Sequence, residues 1–106
     1  LYADLEAGIS GSMSSALLPE KIAPVIDHYL NNAKDKAEET YNHILPLINF
    51  ENRQCGFRGT KTVMKEGGVI KSDYCRHPIK PLDPETKKLL FRFAKKHDLI
   101  TYKWGK

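Results

Sequence analysis

One stretch of this chain predicts a β-strand that finds no partner elsewhere in the sequence. Residues 9–15 are small, apolar or hydroxylic and uncharged, which is typical of a buried strand. A strand cannot satisfy its own backbone N–H and C=O groups, so it requires neighbouring strands. The rest of the sequence predicts helices and loops. We therefore expect the chain to be the C-terminal piece of a larger α/β protein.

Helical periodicity and helix-end signals predict the remaining elements. Pro19 and Pro84 suit first helical positions, Asp83 suits an N-cap, and Gly8 suits a helix end. We expect Tyr102 and Trp104 to pack back on the chain. The predicted helices cover residues 1–7, 19–31, 34–48, 57–66 and 83–97. Pro46 is expected to kink the helix over 34–48 or to tighten its last turn, and Gly67 and Gly68 end the helix over 57–66. An extended loop is predicted over residues 69–82.

Composition excludes several classes of protein. A hydrophobic content of 41% with 28% charged residues argues for a globular fold and against disorder. No apolar run approaches the roughly 20 residues of a membrane span, and no signal peptide is visible. The two cysteines favour a reducing cytoplasm over a disulfide-bonded scaffold. The net charge of +4 is interpreted as a solvated surface and not as a nucleic-acid site, because the lysines of residues 34–39 alternate with acids.

The chain carries no self-contained catalytic or metal motif. Cys55, Cys75 and His77 lack a CxxC pair and a clear fourth ligand, so we interpret both cysteines as buried thiols and predict no metal site. A lysine that forms a Schiff base needs a pKa lowered by burial. Every lysine here lies in a predicted helix or loop with charged neighbours. We predict no catalytic residue within this chain and no cofactor.

Three local patterns occur in an order that resembles a known enzyme family. They are Gly11-Ser12 ahead of the helix at Pro19, the short helix of residues 61–67 that ends in glycine, and Arg76-His77-Pro78 ahead of the Asp83-Pro84 helix start. Together they resemble the C-terminal third of the dihydrodipicolinate synthase / N-acetylneuraminate lyase family. Residues 52–58, 64–72 and 76–78 most resemble its branch that dehydrates L-2-keto-3-deoxyarabonate.

This resemblance implies a fold and a reaction for the parent protein. The fold is a (β/α)8 barrel, of about 250 residues or more, with a C-terminal helical extension, and a homotetramer is the family's expectation. Residues 1–31 would be the end of the barrel and residues 32–106 the extension, so that this chain is mostly α. The substrate would be a 2-oxo sugar acid, bound as a Schiff base by a lysine while a tyrosine shuttles protons. Both groups lie on earlier strands, and Lys61, Lys65 and Lys71 fall after the barrel.

Gly11 and Ser12 are the candidate substrate-binding residues. Binding groups of such barrels lie at the C-terminal ends of strands, which points to Gly11, Ser12 and Met13. Gly11 lets the backbone approach a ligand, and Ser12 offers a hydroxyl to a polyol chain; the alternative is that both are small for tight packing. Ser14 and Ser15 are assigned to the turn before the helix at Pro19 or to capping that helix. Two other functions stay open: an aldolase or synthase of the same family, and a free-standing helical interaction module without catalysis.

Overall fold

Helices and loops make up the whole structure, a computed structural model that describes all residues, 1–106. The helices are α1 (Tyr2–Glu6), α2 (Pro19–Leu30), α3 (Lys34–Phe50), α4 (Gly56–Glu66) and α5 (Pro84–Lys96), with a π-helical turn at Glu51–Cys55 and a 3-10 turn at Ile100–Tyr102. No helix has the length and apolarity of a membrane span. The chain divides into an N-terminal unit, Leu1–Pro46, and a C-terminal unit, Leu47–Lys106.

The predicted strand at residues 9–15 is not formed, and this prediction is wrong for the structure. Residues 9–14 have no regular secondary structure and are exposed, and the side chain of Met13 is 101% accessible. The physical reason is that the chain supplies no second strand. The backbone N–H and C=O groups of this segment therefore hydrogen-bond to water, because no neighbouring strand is present to pair with them.

Four helices end in the same hydrogen-bonded arrangement, the Schellman motif. The residue after the helix C-cap takes a positive φ, and the next N–H donates to a carbonyl in the last turn. In α4 this residue is Gly68, with φ 77°, and Val69 N donates to Met64 O at 2.8 Å. The corresponding residues of α1, α2 and α5 are Gly8, Asn32 and Asp98. The predicted helix ends at Gly8, Asn31-Asn32 and Gly67-Gly68 are confirmed.

The N-terminal unit is built on apolar side chains of α1, α2 and the turn between them. Leu5, Leu17, Leu18 and Val25 are almost completely buried. Burial of such a side chain contributes about 1.5–3 kcal/mol. Pro19 occupies the first turn of α2, as predicted. These side chains fix α1 against α2, with segment 9–15 leading from one to the other.

Three tyrosine rings add to this unit. The ring of Tyr2 lies edge-on to Tyr29 at 5.9 Å and stacks on Tyr41 at 6.3 Å. The Tyr29 hydroxyl donates to Glu6 Oε2 at 3.1 Å. Burial and the neighbouring Glu6 carboxylate raise the pKa of Tyr2 above 10.0. The rings therefore link residues of α1, α2 and α3 within the unit.

The C-terminal unit packs α4 against α5 and both turns. Its core is made by the largely buried Leu47, Val63, Leu90, Ala94 and Leu99. Asp83 caps α5, as predicted, because its carboxylate accepts from Glu85 N at 3.1 Å and Thr86 N at 3.4 Å.

Two predictions for this region are only half right. The ring of Tyr102 packs on Phe91 at 5.5 Å, whereas Trp104 is 72% exposed and does not pack back. Helix α3 runs through Pro46 to Phe50, and a wider π-helical turn follows in place of a tightened last turn. Along the sequence, the boundary between the two units falls between Pro46 and Leu47, within α3. The division at residue 31 concerns the parent barrel and stays a prediction.

Candidate functional site

Gly11 and Ser12, the predicted substrate-binding pair, lie in the exposed segment between α1 and α2. The Ser12 hydroxyl makes a long contact of 3.5 Å to the Met13 carbonyl oxygen. A Cβ added at Gly11 would meet no atom within 4 Å. Ser15 does serve the turn, because its Oγ accepts from Leu17 N at 3.0 Å.

Lys61 and Lys65 contact other residues of the C-terminal unit, and Lys71 is exposed to solvent. Lys61 Nζ donates to the Tyr74 carbonyl oxygen and lies 5.8 Å from the Phe57 ring centroid. Lys65 Nζ lies 3.9 Å from Asp73 Oδ1, and Lys71 is exposed. A Schiff-base lysine requires an enclosed pocket that favours the neutral amine. None of these three lysines has that environment.

A buried polar pair joins the π-helical turn to α4. Glu51 is only 5% exposed, and its Oε1 accepts from Thr60 Oγ1 at 2.7 Å. π-Helical turns are often found at functional sites. The sequence analysis missed this pair, since Glu51 lies in the gap between the predicted helices 34–48 and 57–66 and Thr60 lies in the second of them. The short, buried bond fixes the start of α4 against the turn.

Cys55 and Gly59 pack against each other beside this pair. A Cβ at Gly59 would lie 2.4 Å from the Cβ of Cys55, so only glycine fits there without a shift. Burial, together with the Glu51 carboxylate, raises the pKa of the Cys55 thiol from 9.0 to about 11. The thiol is therefore protonated at neutral pH and is a poor nucleophile. The prediction that Cys55 and Cys75 are buried thiols is confirmed.

Asp73 is the centre of a charged cluster that ties α4 to the following loop. Its Oδ1 lies 3.9 Å from both Arg58 Nη2 and Lys65 Nζ. The Thr62 hydroxyl donates to the Arg58 carbonyl oxygen at 2.8 Å and lies 3.3 Å from Asp73 Oδ2. Two cations thus lie beside the one carboxylate of this loop. Nowhere do three His, Cys, Asp or Glu side chains come close enough to hold a metal ion.

A cleft opens between the start of α4 and the loop of residues 74–79. Its volume is about 380 Å³. Its walls are apolar or cationic, and no carboxylate lines it. The lining residues are Phe57, Lys61, Tyr74, Cys75, Arg76 and Ile79. The sequence analysis used Arg76 only as part of the Arg76-His77-Pro78 pattern and did not bring these residues together.

Comparison with known proteins identifies the family. A sequence profile of the Dihydrodipicolinate synthetase family matches residues 2–97. The chain belongs to this family. The family resemblance inferred from the short motifs is thereby confirmed, although barrel strands are not part of the observed structure.

One curated relative is similar to almost the whole length of this chain. The L-2-keto-3-deoxyarabonate dehydratase of Azospirillum brasilense is 40% identical over 105 residues, which is 99% of this chain. The same match covers 34% of that enzyme. The chain thus spans about a third of the length of the curated relative it matches, and about two thirds of that relative's length has no counterpart here.

Proposed function

We propose that this chain is the C-terminal part of a lyase that dehydrates a 2-keto-3-deoxy sugar acid such as L-2-keto-3-deoxyarabonate. The observation that carries the proposal is the 40% identity to a dehydratase named for that substrate, sustained over 99% of the chain. The family match over residues 2–97 supports the same lyase class.

The proposed reaction runs through a covalent intermediate. A lysine amine attacks the 2-oxo carbon, and water leaves as the imine forms. Loss of a proton from C3 gives an enamine, which expels the C4 hydroxyl as water, and hydrolysis of the imine restores the lysine. The lysine and the proton-transferring tyrosine are assigned to the barrel strands that precede this chain. No metal or cofactor is needed to balance these steps.

In this proposal residues 1–31 complete the barrel and residues 32–106 extend it. Segment 9–15 becomes the last strand once neighbouring strands pair with it, which accounts for its uncharged sequence and its exposure in the chain alone. The Gly11 backbone and the Ser12 hydroxyl then face the polyol chain of the substrate. Exposed apolar residues such as Leu30 suit a surface covered by the barrel or by another subunit of a tetramer.

The first experiment combines a mass measurement with chemical trapping. The polypeptide that carries this sequence is purified from its host, and its denatured mass is expected near three times 12.1 kDa. Borohydride with L-2-keto-3-deoxyarabonate should leave a reduced adduct on a lysine outside residues 1–106. An adduct on Lys61 or Lys65 would contradict the assignment, and the absence of any adduct would exclude the Schiff base.

Product analysis separates the remaining alternatives. An aldolase or synthase of the family forms the same adduct but cleaves or makes a carbon–carbon bond, whereas the dehydratase releases only water. A mass of 12.1 kDa without an adduct favours the helical interaction module. The two free cysteines are compatible with a reducing compartment, and we keep the cytoplasm as the proposed location.

A pair of variants tests the substrate-binding role of Ser12. Ser12→Ala in the full polypeptide should raise KM for the sugar acid about two- to tenfold, since a lost hydrogen bond to a substrate costs roughly 0.5–1.5 kcal/mol. Ser14→Ala is the matched control, because Ser14 lies in the same exposed segment and is assigned to the turn. Equal KM values for the two variants would show that Ser12 does not bind substrate.

A further inference from the structure

Large apolar side chains are exposed to solvent in the cleft beside α4. The rings of Phe57 and Tyr74 are 64% and 67% exposed, and Ile79 also lies open beside them. Cys75 lines the same cleft and is buried. Two large rings on one small concave surface form an apolar wall on which a flat or aliphatic group can pack.

The charges of the cleft are of one sign. Lys61 and Arg76 are its only charged residues, and both are cations. Asp73, the nearest carboxylate in the sequence, is already engaged by Arg58 and Lys65. Arg76 is exposed and forms no ion pair, so its guanidinium N–H groups remain available to an anion.

Lys61 is held in place at the same site. Its ammonium donates to the Tyr74 carbonyl oxygen and lies 5.8 Å from the centroid of the Phe57 ring, which fixes it between that ring and the backbone of Tyr74. An ammonium has three N–H donors, so one protein contact leaves others for a ligand. The cleft thus combines a positioned ammonium, a guanidinium and an aromatic wall.

We propose that this cleft is a binding site for a small organic carboxylate with an aromatic or aliphatic body. The guanidinium of Arg76 suits a carboxylate because it can donate two parallel hydrogen bonds. The rings of Phe57 and Tyr74 cover the body of the ligand. The volume of about 380 Å³ lies in the range of small-molecule sites, roughly 300–1,000 Å³, which are mostly apolar with a few polar groups. The proposal does not depend on the dehydratase assignment.

Calorimetric titration of the full polypeptide with benzoate tests the proposal. Benzoate supplies the carboxylate and a ring, and benzamide is its uncharged match. We expect millimolar or tighter binding of benzoate and about tenfold weaker binding of benzamide, because a hydrogen bond to a charged group exceeds one to a neutral group. Inorganic phosphate, which has no apolar body, should compete only weakly.

Variants locate the site. Arg76→Gln should weaken benzoate binding about tenfold, and Phe57→Ala should weaken it several-fold through loss of ring contact. Arg53→Gln is the charge-matched control, since Arg53 is exposed in the same unit and does not line the cleft. Circular dichroism melts show whether each variant is folded before its affinity is compared.

Three results would overturn the proposal. One is no heat and no benzoate-induced chemical-shift change for Arg76 or Phe57. Another is equal weakening by Arg76→Gln and Arg53→Gln, which reports a general effect of charge. The third is competition by phosphate or by an oligonucleotide as strong as that by benzoate, which assigns the cations to polyanions instead of to an organic carboxylate.

Discussion

Gly67 is a residue at which the absence of a side chain is a packing requirement. A Cβ there would lie 1.9 Å from Thr101 O and 2.7 Å from Tyr102 C, and Gly67 O accepts from Gly105 N at 2.7 Å. Backbone cannot move aside as a flexible side chain can. We expect Gly67→Ala to destabilise the C-terminal unit by about 1–3 kcal/mol in urea unfolding of the full polypeptide.

Gly11 provides the matched control for this effect. A Cβ at Gly11 meets nothing within 4 Å, and its φ is not in the left-handed region. In the 106-residue chain alone, where segment 9–15 is exposed, Gly11→Ala should therefore leave stability unchanged or raise it by about 0.4–1 kcal/mol, because alanine restricts the unfolded chain, and Gly67→Ala is compared with it in the same chain. Equal losses for the two variants would mean that the close approach at Gly67 is not a constraint.

Cys55 gives the C-terminal unit a pH dependence in the alkaline range. Burial first, and then Glu51, raise the pKa of its thiol from 9.0 to about 11 in the folded state. A raised pKa contributes stability that is complete below pH 9 and is lost as the pH rises toward 11. In a Cys75→Ser background, the rate of Cys55 alkylation by iodoacetamide should still increase between pH 9 and pH 11.

The unfolded protein is the control for Cys55. In urea the same thiol should show the rate profile of an ordinary cysteine, with a midpoint near 8.5–9. A folded profile that levels off at or below pH 9 would show that neither burial nor Glu51 disfavours the thiolate. The measurement follows one labelled peptide by mass, so the titration of tyrosines and lysines does not interfere.

Among the elements, α5 depends most clearly on a single side chain at its start. The Asp83 carboxylate accepts from Glu85 N and Thr86 N, which otherwise have no partner within the helix. Asp83→Ala should cost about 1 kcal/mol, whereas Asp83→Asn keeps a good cap and should cost much less. Hydrogen exchange of amides 85–88 measures both. Equal exchange in the two variants would assign the stability of α5 to its packing alone.

How far an element is predictable depends on where its stabilising contacts lie. The helices at Pro19 and Pro84 have their signals within a few residues, so their starts are correctly predicted. The predicted strand over residues 9–15 is not formed, because it would need partner strands that the chain does not contain. The π-helical turn at Glu51–Cys55 is bonded to α4 through Glu51 and Thr60, which lie nine residues apart, and no periodicity in the sequence indicates this turn.

The candidate sites likewise differ in whether the residues that form them lie close together in the sequence. Gly11 and Ser12 are proposed from a family pattern, and no contact within this chain tests their role. The cleft beside α4 brings Phe57 together with residues about twenty positions later, from Tyr74 to Ile79. Only the packing of the loop on the helix creates it. The sequence contains the residues that line the cleft, but it does not indicate that the loop packs against α4.

Across the whole molecule, charge is divided unevenly between the two units. The N-terminal unit, Leu1–Pro46, carries three Lys and Arg against seven Asp and Glu, whereas the C-terminal unit, Leu47–Lys106, carries fourteen against six. The net charge of +4 for the whole chain does not reveal that the N-terminal unit is acidic and the C-terminal unit basic. Like charges confined to one unit repel one another and oppose its compact state. The stability of the C-terminal unit should therefore depend on salt more than that of the N-terminal unit.

Hydrogen exchange at two salt concentrations tests this division. Raising NaCl from 0.01 to 0.15 M shortens the screening length from about 30 to about 8 Å, which weakens the repulsion. Amides of α4 and α5 should gain protection, while those of α2 change less. The double variant Arg53→Gln and Lys80→Gln removes two exposed cations that form no ion pair, and it should be more stable at low salt and respond less to added salt. A loss of protection in α4 on adding salt would instead mean that attractive pairs such as Arg58 with Asp73 outweigh the repulsion within the unit.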